Sequence, residues 1–369
     1  MAITAGMVKE LRELTGAGMM DCKKALGETN GDMDAAVEYL KKNGQAKAEK
    51  KAARIAAEGL CAVVVEGNTA AVVEVNSETD FVAKNEEFRS FVAAVANQAV
   101  KSDAADMDAF MAEAWNEDTA ITVSEALVAK VARIGEKLSI RRFEKVVAEN
   151  GCVVSYTHGG GKIGVIVEAT TDVVNDDVKV ALTNIAMQVA AMNPEYTSRT
   201  EISADKLAKM REITVDSALN DTFTLPKPIL MGLLDKAVNG VWSAEDVAIY
   251  EEKKSNMNYL PNFLSNEAKA SLAELAMADK EAIVDNKIFV GLVDGRVSKQ
   301  LKEICLLDQV YVRAEDGKQT VAQYVAEVAK ANGANLSVKK FVRFETGEGI
   351  EKRLTTSQQK LQLRLVYKI

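Results

Sequence analysis

One histidine, His158, serves the whole 369-residue chain. That count excludes a metal site built on several imidazoles and any relay that needs two histidines. The four cysteines (Cys22, Cys61, Cys152, Cys305) lie far apart and form no CxxC pair. They read as reduced, buried thiols of a cytosolic protein, not as a disulfide framework or a metal site. No apolar run approaches the roughly 20 residues of a membrane span, and the start "MAITAGMVKELREL" lacks the basic-then-apolar layout of a signal peptide. A cytoplasmic location is therefore expected. Positive charge is also short: 46 Lys and Arg against 54 Asp and Glu leave a net charge of −8. Such a balance disfavours a general nucleic-acid binder, whose affinity rests on neutralising phosphates.

Catalytic sets are missing as well. "HGGGKIG" (His158 to Gly164) is not a phosphate-cradling loop, because Ile163 follows Lys162 and Tyr156 stands where the first glycine belongs. As an oxyanion loop it would need a GxSxG elbow elsewhere, and the chain has none. A hairpin turn with positive φ accounts for its glycines more simply. "NGDMDAAVEYL" lacks the sixth-position glycine of a calcium loop, so Asp32 reads as a helix cap. Carboxylates abound without a spacing that singles out a pair. No metal site, cofactor or enzymatic activity is expected.

What is present is organised. Residues 1–44 read as three short helices. Met7, Leu11 and Leu14 share one face, "GAGMMDCKKAL" follows a glycine-bearing turn, and Met33, Ala36, Val37 and Leu40 form a stripe behind Asp32, with Gly44 at the exit. "QAKAEKKAARIAAEG" reads as a charged helical linker with a solvated lysine face. From Leu60 the period shortens: "LCAVVVEGNTAAVVEVN" is two apolar, β-branched runs around Gly67-Asn68, a hairpin signal. A helix, a helical connection through Trp115, a second helix ("VSEALVAKVAR") and a strand ("KLSIRRFEKVV") follow.

The pattern then recurs. "CVVSYTHGGGKIGVIVEATTDVVNDDV" repeats strand, turn, strand, polar connection and helix, with Thr171-Asp172-Val173-Val174 falling where Thr79-Asp80-Phe81-Val82 fell. Later, "TVAQYVAEVAKANGANLSVKKFVRF" mirrors "TVSEALVAKVARIGEKLSIRRFEKV". The reading is a duplicated α+β unit. Between the halves of the second copy, residues 201–286 are helical in pattern, and all four prolines (Pro194, Pro226, Pro228, Pro261) fall in or beside them. Such an excursion is tolerated because closure entropy grows slowly with length.

Phe81 is the unusual residue. It sits in a polar connection between strand and helix, where the second copy has Val173. An aromatic there either folds back onto the local helix or serves as an interface anchor; the pattern alone leaves both open.

Five stretches in order, "ITAGMVKELRELTGAGMMDCKKAL", "EVNSETDFVAKNEEF", "RIGEKLSIRRF", "SYTHGGGKIGV" and "RFETGEGIEK", resemble the elongation factor Ts family. The resemblance covers most of 1–200 and about 290–353. It implies an α+β fold: a three-helix, ubiquitin-associated-like domain and linker (1–55), then a duplicated α/β-sandwich core. Its first subdomain is 56–150 and its second 151–200 plus 287–353, with a helical arm (201–286) inserted in the second and an atypical tail (354–369). It also implies nucleotide exchange on the GTPase elongation factor Tu. Thr79, Asp80, Phe81 and Val82 would enter near that partner's Mg²⁺ and phosphates. His158, Ile134, Gly135, Met19, Met20 and Lys23 would supply further contacts. Relatives differ in oligomeric state, so a homodimer stays open. The tail "LTTSQQKLQLRLVYKI" departs from the acidic, alanine-rich helix usual after "GEGIEK". The alternative is an RNA- or ribosome-binding accessory protein, resting on Lys47–Arg54 and the pairs Arg141-Arg142 and Lys339-Lys340. Neighbours in a strand point to opposite faces, which argues against one basic stripe.

Overall fold

The computed structural model describes residues 2–351. The expected atypical tail, 354–369, lies outside the described residues. Helix α1 (Ala5–Thr15) is capped by the Thr4 hydroxyl, and α2 (Met19–Glu28) begins after Gly18. In α3 (Met33–Lys51) the Asp32 carboxylate accepts the Ala35 N–H at 2.9 Å. Of their buried residues only Val8, Leu11 and Leu26 are large, each contributing about 2 kcal/mol. Partly buried Met7, Met33, Val37, Tyr39 and Leu40 pack on them. Helix α3 does not stop at Gly44 but continues to Lys51 and rests on the helix spanning Val123–Ile134. Gly44 approaches Val128 and Ala132 there. The expected helix exit at Gly44 is thus a helix-packing contact.

Strands β1 (Glu58–Glu66) and β2 (Thr69–Ser77) form the hairpin read around Gly67-Asn68. They are followed by α4 (Asp80–Ala83), α5 (Glu86–Lys101) and α6 (Met107–Ala112). The connection through Trp115 is not helical. It is a small hairpin, β3 (Ala114–Trp115) and β4 (Asp118–Thr122), held because the Gln98 side chain bonds the Ala114 carbonyl and the Asn116 N–H. Helix α7 (Val123–Ile134) starts in a Thr122–Glu125 capping box, and β5 (Leu138–Val147) pairs antiparallel with β2.

The second copy repeats this order. Strands β6 (Gly151–His158) and β7 (Ile163–Thr170) are followed by α8 (Asp176–Met192). After the inserted helices come α15 (Val321–Asn332) and β8 (Ser337–Glu345), which pairs with β7. The sheet orders are β1-β2-β5 and β6-β7-β8, both antiparallel. Cys61, Ala70, Val72 and Val146 of one sheet share a core with Val153, Ile166, Val342 and Phe344 of the other. The sheets therefore pack face to face, with α5 on the outside of the first and α8 on the outside of the second.

Duplication extends to the irregularities. Gly59 and Gly151 open the two copies at φ 129° and 149°, where an added Cβ would lie 2.2 Å from the Val75 carbonyl and 2.1 Å from the Ala169 carbonyl. Each sheet also carries one register shift, at Glu74/Val75 and at Glu168/Ala169. Opposite Glu74 the extra residue is Arg141, so the bulge turns Arg141 and Arg142 onto one carboxylate instead of opposite faces. Strict alternation does not describe that pair.

Residues 194–322 form a separate compact unit. It contains α9 (Ala204–Asn220), α10 (Lys227–Gly240), α11 (Ala244–Lys253), α12 (Asn266–Ala278), α13 (Lys280–Val284) and α14 (Lys287–Ile304). The insertion is thus wider at both ends than the expected 201–286. In α14, Phe289, Val293, Val297 and Leu301 recur every fourth residue and are buried with Leu219, Leu234, Leu260 and Leu272. That stripe commits α14 to the inserted unit, not to the second core copy.

Candidate functional site

At Thr79 the chain leaves β2 and turns at once into α4, a helix of four residues. Thr79 caps it, its Oγ1 accepting the Val82 N–H at 3.3 Å. Asp80 is the first helical residue and pairs with Lys84 at 2.7 Å, one turn on. The Lys84 bond, aided by the charge of Lys162, holds the Asp80 carboxyl below the usual aspartate range. Val82 packs on the first copy's core and Ala83 is buried. Of the turn's apolar side chains Phe81 alone points outward, at 80% exposure, with the Lys84 ammonium 6.0 Å from its ring. It does not fold back onto the local helix; that side of the turn is filled by Val82 and Ala83.

The turn is braced by the loop after α7. Gly135 caps that helix in the left-handed conformation, and Ile134 packs on the first core. The next residue, Glu136, accepts the Glu78 N–H at 3.1 Å, the Thr79 N–H at 3.0 Å and the Thr79 hydroxyl at 2.7 Å. Two segments remote in sequence, Thr79–Val82 and Ile134–Gly135, are thereby joined. Sequence reading passed over Glu136; its only signal was a carboxylate directly after a helix-ending glycine.

His158 ends β6 and is exposed, with its Nδ1 2.9 Å from the Tyr156 hydroxyl. The Gly159–Gly161 turn has positive φ throughout, and the Gly161 carbonyl accepts the Cys61 N–H of β1 at 2.7 Å. Lys162 pairs with Glu58 at 2.9 Å. The His158 hairpin therefore sits on β1, whose start also lies beside α4. Met19 and Met20, 58% and 76% exposed, and the exposed Lys23 lie on α2. An open cleft is lined by the α1–α2 glycine loop, Glu87 and Arg133, one residue before Ile134, with the Arg133 guanidinium lying against Gly16.

A buried ion-pair cluster lies at the register shift between β2 and β5. Glu74 is fully buried and accepts from Arg141 (3.0 and 3.2 Å), Arg142 (2.6 Å), Asn76 (2.9 Å) and the Gly347 N–H (2.7 Å). Burial alone would raise its pKa; the Gly347 N–H, Asn76 and the two guanidiniums outweigh it and hold the carboxyl below the usual range. Lys339 is bound to Glu168, and Lys340 to Glu144. These basic pairs are engaged within the fold. Among the described residues no group of three or more His, Cys, Asp or Glu could hold a metal, and no helix is long and apolar enough to cross a membrane.

The family model described as elongation factor TS matches residues 78–348. Elongation factor Ts of Clostridioides difficile strain 630 is 44% identical over 353 residues, covering 95% of this chain and 95% of that protein. That of Clostridium tetani strain Massachusetts / E88 is 42% identical over 353 residues, with the same 95% shares. That of Clostridium novyi strain NT is 39% identical over 365 residues, 98% of this chain and 99% of that protein. These likenesses place the chain among the elongation factors of protein synthesis. It belongs to the elongation factor Ts family.

Proposed function

We propose that the chain is the guanine-nucleotide exchange factor of elongation factor Tu, and that Phe81 is the group that opens the GTPase. The observation that carries this reading is the 80% exposure of Phe81 on a capped, braced helical turn. Large aromatic side chains presented this way are typical binding anchors. A GTPase holds GDP through backbone amides and a lysine around the phosphates, together with Mg²⁺ bridging to protein oxygens. A partner that binds only the conformation with a displaced phosphate loop and no Mg²⁺ weakens the nucleotide, and by linkage the nucleotide weakens the partner equally.

Each residue then has a task. Phe81 enters as an apolar wedge, and Asp80 brings its carboxylate beside the metal site. Thr79 and Val82 fix the turn that carries them. His158 touches the GTPase next to this point, Ile134 and Gly135 meet it through the brace, and Met19, Met20 and Lys23 form a separate contact on α2. No bond is made or broken. The engagement of Arg141, Arg142, Lys339 and Lys340 with carboxylates supports this reading over RNA binding. Stopped-flow release of a fluorescent GDP from elongation factor Tu tests it. The chain accelerates release and Phe81→Ala removes most of the acceleration, whereas equal rates for parent and variant overturn the wedge.

A further inference from the structure

The brace at Glu136 is reciprocal. While Glu136 holds the Glu78 and Thr79 amides, Glu78 Oε1 accepts the Lys137 N–H at 2.6 Å and the Arg54 guanidinium at 3.2 Å. The Lys137 ammonium in turn donates to the Ala52 and Arg54 carbonyls at 2.7 and 2.8 Å. Each of the two loops thus supplies a carboxylate to the other's backbone.

The second copy shows the same scaffold with only half of this clamp. Gly333-Ala334-Asn335-Leu336 stand where Gly135-Glu136-Lys137-Leu138 stand, so a methyl group replaces the Glu136 carboxylate. From the strand glutamate on, Glu168-Ala169-Thr170-Thr171-Asp172 stand in the register of Glu74-Val75-Asn76-Ser77-Glu78, and Thr171 Oγ1 bonds the Val173 carbonyl as Ser77 Oγ bonds that of Thr79. Only the Glu136 half of the clamp is missing. The Asn335 N–H, which matches the Lys137 N–H, is taken by Asp172 Oδ1 at 2.7 Å, and Asp172 Oδ2 accepts from the Asn335 side chain at 2.6 Å. Asp172 thus takes the place of Glu78, and the likeness of Thr171-Asp172 to Thr79-Asp80 in sequence is not one of position in the fold. The connection to the next helix cap is shorter in the second copy, with a bend where the first has α4, and Val173 is half-buried.

We propose that Glu136, working with Glu78, is a positioning residue for nucleotide exchange: it ties down the Glu78 and Thr79 amides and the Thr79 hydroxyl that caps α4, while Glu78 fixes the loop that carries Glu136. Asp80 starts the helix on that base, and Phe81 is held clear of its own subdomain. The proposal rests on the exchange reading above, and it separates a residue that touches the partner from one that aims it.

The test uses full-length Glu136→Ala, Glu136→Gln and the double variant Glu78→Ala/Glu136→Ala, with two readouts. Amide hydrogen exchange over 78–84 reports the turn without the partner. Release of fluorescent GDP from elongation factor Tu, followed against factor concentration, separates the saturated rate from the half-saturating concentration. In Glu136→Ala the Thr79 and Val82 amides should exchange faster, and the saturated rate should fall about tenfold, as for a misplaced rather than a missing group. The half-saturating concentration should change less. Glu136→Gln keeps an acceptor for the two amides and should recover most of the rate; the double variant should be the slowest. Glu136→Ala should add little in a Phe81→Ala background, because both act through one side chain.

Unchanged protection at 78–84 in Glu136→Ala, or a loss that adds in full to that of Phe81→Ala, overturns the proposal. Parent-like release by Glu136→Ala while Phe81→Ala is defective overturns the positioning role alone. Parent-like release by Phe81→Ala overturns the exchange reading and this role with it.

Discussion

At Thr79 the chain enters a one-turn helix that lifts Phe81 into solvent, whereas at Thr171 the same Thr-Asp pair leads into a bend that keeps Val173 half-buried. Everything beneath the two turns is shared. Both copies open with a glycine pressed against a strand carbonyl, both carry a register shift at the strand glutamate, and both end a 12-residue helix next to the turn. What folding requires is duplicated, and the turn with the exposed aromatic occurs once. The difference resides in a few side chains and a slightly longer connection, not in a different architecture.

The largest expected effect sharpens the comparison at the two buried glutamates. Glu74→Ala strands two arginines, Asn76 and the Gly347 N–H, and should cost about 3–5 kcal/mol in urea unfolding. Glu168→Ala releases Lys339, which is 54% exposed and regains water, so it should cost about 1 kcal/mol or less. Acidity gives the sign of the Glu74 effect. Its carboxyl is held below the unfolded value of about 4.3, so its stabilisation is present above that pH and disappears as pH falls through the folded pKa. The stability gap between parent and Glu74→Gln should therefore narrow in acid.

Next in size is Phe81→Ala, expected to remove at least about 2 kcal/mol of transition-state stabilisation from GDP release, roughly thirtyfold. Its melting temperature should barely change, because the ring is exposed. A melting temperature that drops with the rate would mean that the ring supports its own subdomain. Gly135→Ala and Gly333→Ala come third. Both glycines sit at positive φ (87° and 59°) with open space around them, so each should cost about 1 kcal/mol of stability, while only Gly135→Ala should also slow GDP release. The smallest expected effect is that of Val173→Phe. An aromatic on the bend that has no counterpart of α4 should leave GDP release unchanged, and a marked gain would show that the two turns are interchangeable.

Much of this was legible in the sequence. The hairpin at Gly67-Asn68, the cap at Asp32 and the repeat of Leu138–Phe143 as Leu336–Phe341 follow from period and turn chemistry, which act locally. Phe81 stood out because an aromatic is costly in a polar connection. The rest depended on tertiary contacts. A register shift places Arg141 beside Arg142, and no alternation pattern announces it. Gly44 reads as a helix end until α7 lies against it. The edge of the insertion was misplaced because α14 has the same apolar spacing whichever core it joins. Glu136 was invisible because its partners are backbone amides of a segment far away in the chain.

The inserted unit closes on itself. Glu195 and Tyr196 donate to the Ile304 carbonyl, Leu306 donates to that of Tyr196, and Val321 donates to that of Gln309. Strands β7 and β8 are neighbours in one sheet although the whole unit lies between them in sequence. Once those latches form, the loop that β7–β8 pairing must close is set by the two flanking segments that carry α8 and α15, so the detour adds little search entropy. A shortened chain that bridges the latch with a brief linker should therefore keep the second sheet, and the insertion is free to diverge as a module without disturbing the register of the strands it interrupts.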